Sequence, residues 1–155
     1  MREDIQKLRE LRNKNAVFFI YSEYISENDQ EVWYSNYLNK RFDIMFKISL
    51  MDDPKGFIGA VALYEINPER KTAEFGRIVI DKEQTAQKGL GYDATVCACK
   101  IGFEQLGLDR IVLEVFSDNM SAVKTYNKAG FKTYEANGNI LKMELNKTDL
   151  IINEN

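Results

Sequence analysis

The segment AQKGLGYDATVCACKIGFEQLG, residues 86–107, constrains this chain most: two glycines one residue apart open directly into an amphipathic helical pattern. The first N–H groups of a helix have no intrahelical partner, and the helix dipole favours negative charge there. Gly89 and Gly91 remove side chains that would keep an anion from those N–H groups, and Lys88 adds a cation beside them. A pyrophosphate is the natural guest. A tight turn that merely packs a helix on a strand would use the same glycines. A dinucleotide fold would place them at the first strand-to-helix turn of a βαβ series, whereas here three antiparallel-looking strands come first.

The rest of the chain supplies the frame. Ile5, Leu8 and Leu11 recur at helical spacing near the start, and AVFFIYS then reads as an extended apolar stretch. Ser26 is placed to cap a second helix, with Asp29 three residues on; that helix carries Val32, Trp33, Tyr37 and Leu38. FDIMFKISL and FIGAVALYEI flank a turn at 52–56 and pair as a hairpin, and TAEFGRIVI is a third strand. The glycine-led helix runs to Leu106 with Ala94, Cys97, Ala98 and Ile101 on its apolar positions, and Gly107 ends it. A strand, RIVLEVF, precedes a helix from Asn119 to Gly130, and FKTYEA and ILKMEL form a hairpin around NGN. The pattern predicts one α+β domain over residues 1–147, with 148–155 as a loosely attached tail.

Composition removes several classes of function. The net charge of −3 comes without a basic stripe, so nucleic acid is not an expected partner. No apolar run approaches the roughly 20 residues that cross a bilayer, and the charged start lacks the apolar centre of a signal peptide, so a soluble cytoplasmic protein is expected, with no membrane partner. Cys97 and Cys99 lie two apart on a helix; helix packing is expected of both, rather than a disulfide or a metal site. The absence of histidine excludes Ser-His-Asp and Cys-His catalysis and most zinc sites, leaving acid–base work to Glu, Asp, Tyr, Lys, Cys, an amine or water.

A second motif joins the glycines. LEVFSDNMSAVKTYNKAGF carries Asn119, Ala122, Tyr126, Gly130 and Phe131 in the spacing N-x-x-A-x-x-x-Y-x-x-x-G-F. With KGLG upstream, it resembles the GNAT superfamily of acetyl-CoA-dependent N-acetyltransferases, whose central helix opens on Q/R-x-x-G-x-G/A. The resemblance is sharpest from Glu74 to Phe131. It implies a mixed, mostly antiparallel, splayed sheet flanked by helices, with acetyl-CoA as co-substrate and no metal. Ala86, Gln87, Lys88, Gly89, Leu90, Gly91 and Tyr92 would hold the pyrophosphate, chiefly through main-chain N–H groups. Asn119 would border the pantetheine, a backbone N–H near Ile78, Val79 and Ile80 would polarise the thioester, and Tyr126 would protonate the departing thiolate. The chain departs from the family where Ala86 and Gln87 replace its usual Gln/Arg and Gly, and where no first strand precedes the first helix. A sheet short of that edge strand would invite pairing into a homodimer.

An amine attacks only when neutral, and a free alkyl amine has a pKa of about 10, so a base is needed. Glu114 matches the glutamate base of ribosomal-protein alanine acetyltransferases; Glu74 and Glu65 are the other candidates. The front half resembles nucleotide-sugar amine acetyltransferases, including the pseudaminic-acid branch. On that resemblance Arg12, Asn13, Trp33, Tyr37 and Arg77 border a site for a small-molecule amine, most simply an amino sugar on a nucleotide. Two alternatives stand beside it. One is a protein N-terminal or polyamine acetyltransferase, for which Glu27, Asp29, Glu31, Asp52 and Asp53 would supply an acidic groove. The other is an acyl-CoA-binding module without catalysis.

Overall fold

The computed structural model describes residues 2–151. Four helices, α1 (Arg2–Lys14), α2 (Glu27–Tyr37), α3 (Leu90–Glu104) and α4 (Met120–Ala129), surround six strands: β1 (Ile44–Ile48), β2 (Gly59–Asn67), β3 (Thr72–Ile80), β4 (Arg110–Phe116), β5 (Lys132–Asn137) and β6 (Ile140–Asn146). The sheet order is β1-β2-β3-β4-β6-β5, with every pairing antiparallel except β3 with β4. Among the described residues no strand precedes α1, so β1 and β5 are the edges.

Strand β2 is apolar at nearly every position because both its faces are covered. Val61 and Leu63 enter the larger core with Phe75, Cys99, Phe103, Tyr126, Phe131 and Met143, while Ala60 joins Leu11, Phe57 and Val79 in a smaller one. The parallel pair decides the fold's shape. β3 and β4 pair only over Thr72↔Arg110, Ala73↔Ile111 and Glu74↔Val112. β3 then stays with β2 as far as Ile80, and β4 stays with β6 as far as Phe116, so the two strands part and leave a wedge-shaped cleft.

Local signals hold where they were strong. Ser26 and Asp29 form a reciprocal capping box, each side chain accepting from the other's N–H at 3.1 Å. Asn119 caps α4 by accepting from the Ala122 N–H.

Three expectations are corrected. AVFFIYS is not extended: residues Ala16–Phe18 make a single 3-10 turn, and no strand partner is available to the segment. Cys97 is exposed and only Cys99 is buried, because the buried face of α3 runs through Thr95, Val96, Ala98, Cys99, Gly102 and Phe103. Thr95 sits in the core because its hydroxyl donates to the Gly91 carbonyl at 2.7 Å, which satisfies it inside the helix. The start of the presumed tail is docked. The Ile151 N–H donates to the Ala129 carbonyl at 2.9 Å, the Tyr92 hydroxyl donates to the Ile151 carbonyl at 3.0 Å, and Leu150 packs on the larger core. Residues 152–155 lie outside the described range.

Candidate active site

The cleft between β3 and β4 has a volume of about 760 Å³. Its floor is the divergence itself. Beyond Glu74, the edge of β3 that faces β4 has no strand partner, so main-chain polar groups of the Ile78–Ile80 stretch border an open space. On the helical side, Gly91, Thr95, Asn119, Ala122 and Tyr126 line the same cleft.

Gly89 caps α3 in the left-handed region, at φ 81°, where a side chain is strained. A Cβ built on Gly89 or on Gly91 meets nothing within 4 Å, so the approach to the first N–H groups of α3 is clear. That is the fit an anionic phosphate group requires. Leu90 and Tyr92 contribute main chain here; the Tyr92 ring instead packs under the Lys128 ammonium, 4.2 Å from its centroid. Neither they nor Ala86, Gln87 and Lys88 line the deep part of the cleft.

Tyr126 stands at the inner end. It is 7% exposed and contacts Phe75 edge-on, with ring centroids 5.8 Å apart. Burial pushes its phenol pKa up, so the proton stays on the oxygen at neutral pH. Its hydroxyl has no hydrogen-bond partner among the described residues, which leaves it available to a ligand in the cleft.

Three glutamates from three neighbouring strands reach the cleft: Glu65 from β2, Glu74 from β3 and Glu114 from β4. Glu74 is half-buried. Burial, and then the charges of Glu114 and Glu65, raise its pKa above the ordinary carboxylate value. Glu114 is exposed. Tyr64 was missed in the sequence, where it reads as one more alternating strand residue; it sits directly opposite Glu74 in the β2–β3 ladder.

The outer end is built from α1 and the segment after it. The Arg77 guanidinium donates to both oxygens of buried Asp43, at 2.7 and 3.1 Å, and lies 4.2 Å over the Tyr64 ring. Arg77 itself has φ 53°, at a β-bulge where Arg77 and Ile78 stand opposite Val61. Arg12 packs on Phe19 at 3.6 Å and donates to the Tyr21 carbonyl at 3.0 Å. It has no carboxylate partner among the described residues, and burial together with the Arg77 charge lowers its pKa. A second cavity of about 350 Å³ adjoins, sharing Arg12 and Arg77 and adding Trp33. Asn13 and Tyr37 line neither cavity. Asn13 clamps the Ile25 backbone by one accepted and one donated hydrogen bond, and the Tyr37 hydroxyl accepts from the Met45 N–H while its ring stacks on Trp33.

The family model for the acetyltransferase (GNAT) domain matches residues 1–132. The chain belongs to the GNAT acetyltransferase family. Among curated relatives, this GNAT protein is 31% identical over 134 residues to spermidine N(1)-acetyltransferase of Vibrio cholerae, covering 84% of this chain and 74% of the relative. It is 32% identical over 132 residues to the enzyme of the same name from Escherichia coli K12, covering 84% and 68%. Its fold superposes on the crystal structure of Vibrio cholerae spermidine N-acetyltransferase in complex with CoA and spermine, with a TM-score of 0.84, 25% identity, and coverage of 96% and 93%. Apo FdhC, a nucleotide-linked sugar GNAT, matches with a TM-score of 0.83 at 21% identity over 96% of this chain and 84% of that one, a likeness of fold. The protein is therefore an acetyltransferase of the GNAT type, with acetyl-CoA as co-substrate. Among the described residues no group of side chains is placed to hold a metal ion.

Proposed function

We propose that this GNAT enzyme acetylates a primary amine of a small cationic acceptor of the polyamine class. One observation carries the reading: Glu65, Glu74 and Glu114 converge on one cleft beside the strand divergence, where burial and then the charges of Glu114 and Glu65 raise the pKa of Glu74. Like charges gathered this way are relieved by a bound ammonium group. The likeness to spermidine acetyltransferases supports the same class.

Acetyl-CoA supplies the acetyl group as an activated thioester. The open N–H groups at Gly89–Tyr92, with Lys88 nearby, receive the pyrophosphate, and Asn119 borders the pantetheine arm. A main-chain N–H among Ile78, Val79 and Ile80 faces the carbonyl oxygen where negative charge develops. Glu74 takes one proton from the acceptor ammonium, directly or through water, which frees the nitrogen lone pair. Nitrogen bonds to the acyl carbon as the C–S bond breaks. Tyr126 gives its proton to the leaving sulfur, and the second proton shed by the nitrogen restores the phenol. Glu74 fills the role of base better than Glu114 because it is half-buried at the divergence; Glu114, being exposed, steers the cation.

The test is turnover of acetyl-CoA with spermidine, spermine and a nucleotide-linked amino sugar in parallel. The polyamines should give the higher kcat/KM. Turnover confined to the nucleotide-linked sugar would overturn the acceptor class, and tight CoA binding with no turnover on any amine would overturn catalysis. The sugar reading has a specific observation in its favour: Arg12 brings an uncompensated guanidinium to the junction of the two cavities, beside Trp33, which suits a phosphate and a flat ring.

A further inference from the structure

Tyr64 and Glu74 are register partners in an antiparallel ladder, so their side chains stand on the same face of the sheet. Gly76, two residues beyond Glu74, belongs to that face as well. A Cβ at Gly76 would lie 2.8 Å from the Tyr64 hydroxyl oxygen and 3.2 Å from its Cε1. The Tyr64 ring thus leans diagonally across the ladder into space that exists only because residue 76 has no side chain. From the other side the Arg77 guanidinium covers the ring at 4.2 Å, and Arg77 is fixed in turn by its two bonds to Asp43. A tyrosine held on two sides has little rotamer freedom left, and its hydroxyl lies beside the Glu74 carboxylate.

We propose that Tyr64 is a positioning residue for Glu74: seated on Gly76 and under Arg77, its hydroxyl donates to one carboxylate oxygen and leaves the other aimed into the cleft to take the amine proton. The inference rests on Glu74 as the base. Two facts fit the donor role. Burial, followed by the Glu74 charge, holds the Tyr64 phenol in its protonated form. The Tyr64 hydroxyl also opposes the upward push that burial, Glu114 and Glu65 exert on Glu74. Tyr64 lines the cleft with Glu74, so the pair acts where substrate binds.

The test is the pH dependence of kcat/KM for acetylation of spermidine, or of whichever amine is turned over. Removing a donor from a carboxylate raises its pKa, so Tyr64→Phe should move the acidic limb to higher pH by about half to one pH unit, the size of one modest hydrogen bond. Gly76→Ala, which evicts the hydroxyl from its seat while leaving Tyr64 in the chain, should move the limb in the same direction. Glu114→Gln, which removes a like charge, should move it the opposite way. Binding of CoA and the thermal midpoint, read in parallel, report whether each variant is folded. Glu74→Gln separates the two layers of argument. If it leaves the acidic limb in place, the base assignment fails. If it abolishes the limb while folded Tyr64→Phe keeps the wild-type limb, the base stands and the positioning role is overturned.

Discussion

Around Gly89 and along β3 beyond Glu74 the cleft presents main chain, whereas around Arg12 and Arg77 it presents side chains that hold one another. The first region works by what is missing. There is no Cβ at Gly89 or Gly91 to obstruct the N–H groups and no β4 partner beside Ile78–Ile80. The second works by what is added, namely Arg77 on Asp43 and Arg12 on Phe19. Under the proposed function, a pyrophosphate site made of backbone tolerates Ala86 and Gln87 in place of the family's usual residues as long as its dihedrals survive. The region around Arg12 and Arg77 has no such tolerance, and each substitution there alters charge or packing directly.

The largest effect should come where the proposed mechanism gives one side chain the chemistry. Tyr126→Phe should lower kcat by about 100-fold or more, the usual scale of a general acid, with CoA affinity retained in calorimetry. Unchanged kcat would remove the tyrosine from the proton path. Gly89→Val should weaken CoA binding by at least about tenfold, since it both strains a backbone at φ 81° and puts a branched side chain over the N–H groups. Wild-type affinity there would mean that the pyrophosphate does not dock on this helix end.

Around the outer end of the cleft, Arg77→Ala should cost about 2 kcal/mol of stability, seen as a lowered thermal midpoint, because it leaves buried Asp43 with Lys40, at 3.7 Å, as its one remaining cation among the described residues. Arg12→Ala should be smaller still, within about 1 kcal/mol in stability, because no ion pair is lost. Its value is diagnostic. Under the polyamine reading, removing a cation from the cleft lowers KM for spermidine a few-fold; under the sugar reading it raises KM for the nucleotide-linked acceptor. Equal, unchanged KM for both would take Arg12 out of acceptor recognition.

Much of the frame could be read from the chain. The strands at 72–80 and 110–116 and the helix from Asn119 to Gly130 end where the sequence pattern places them, because capping, alternation and terminating glycines act within a few residues. The segment at 16–21 misled because its apolar residues serve a cleft wall and an Arg12 contact rather than a strand, and apolar composition looks the same in both roles. Tyr64 escaped notice for a related reason. Its meaning depends on Glu74 and Gly76 lying across a ladder, ten and twelve positions away in sequence.

The sequence by itself determined the order of elements, the glycine-led helix start and the spacing from Asn119 to Tyr126, since hydrogen bonding and periodicity within one element are written in contiguous residues. Only the tertiary structure decided that β3 and β4 part after three pairs, that Glu65, Glu74 and Glu114 meet, and that Arg77 is committed to Asp43 while Arg12 is not. Those outcomes depend on register and on a bulge at Arg77. Register is a relation between strands, and a single-residue change in it turns every side chain to the other face.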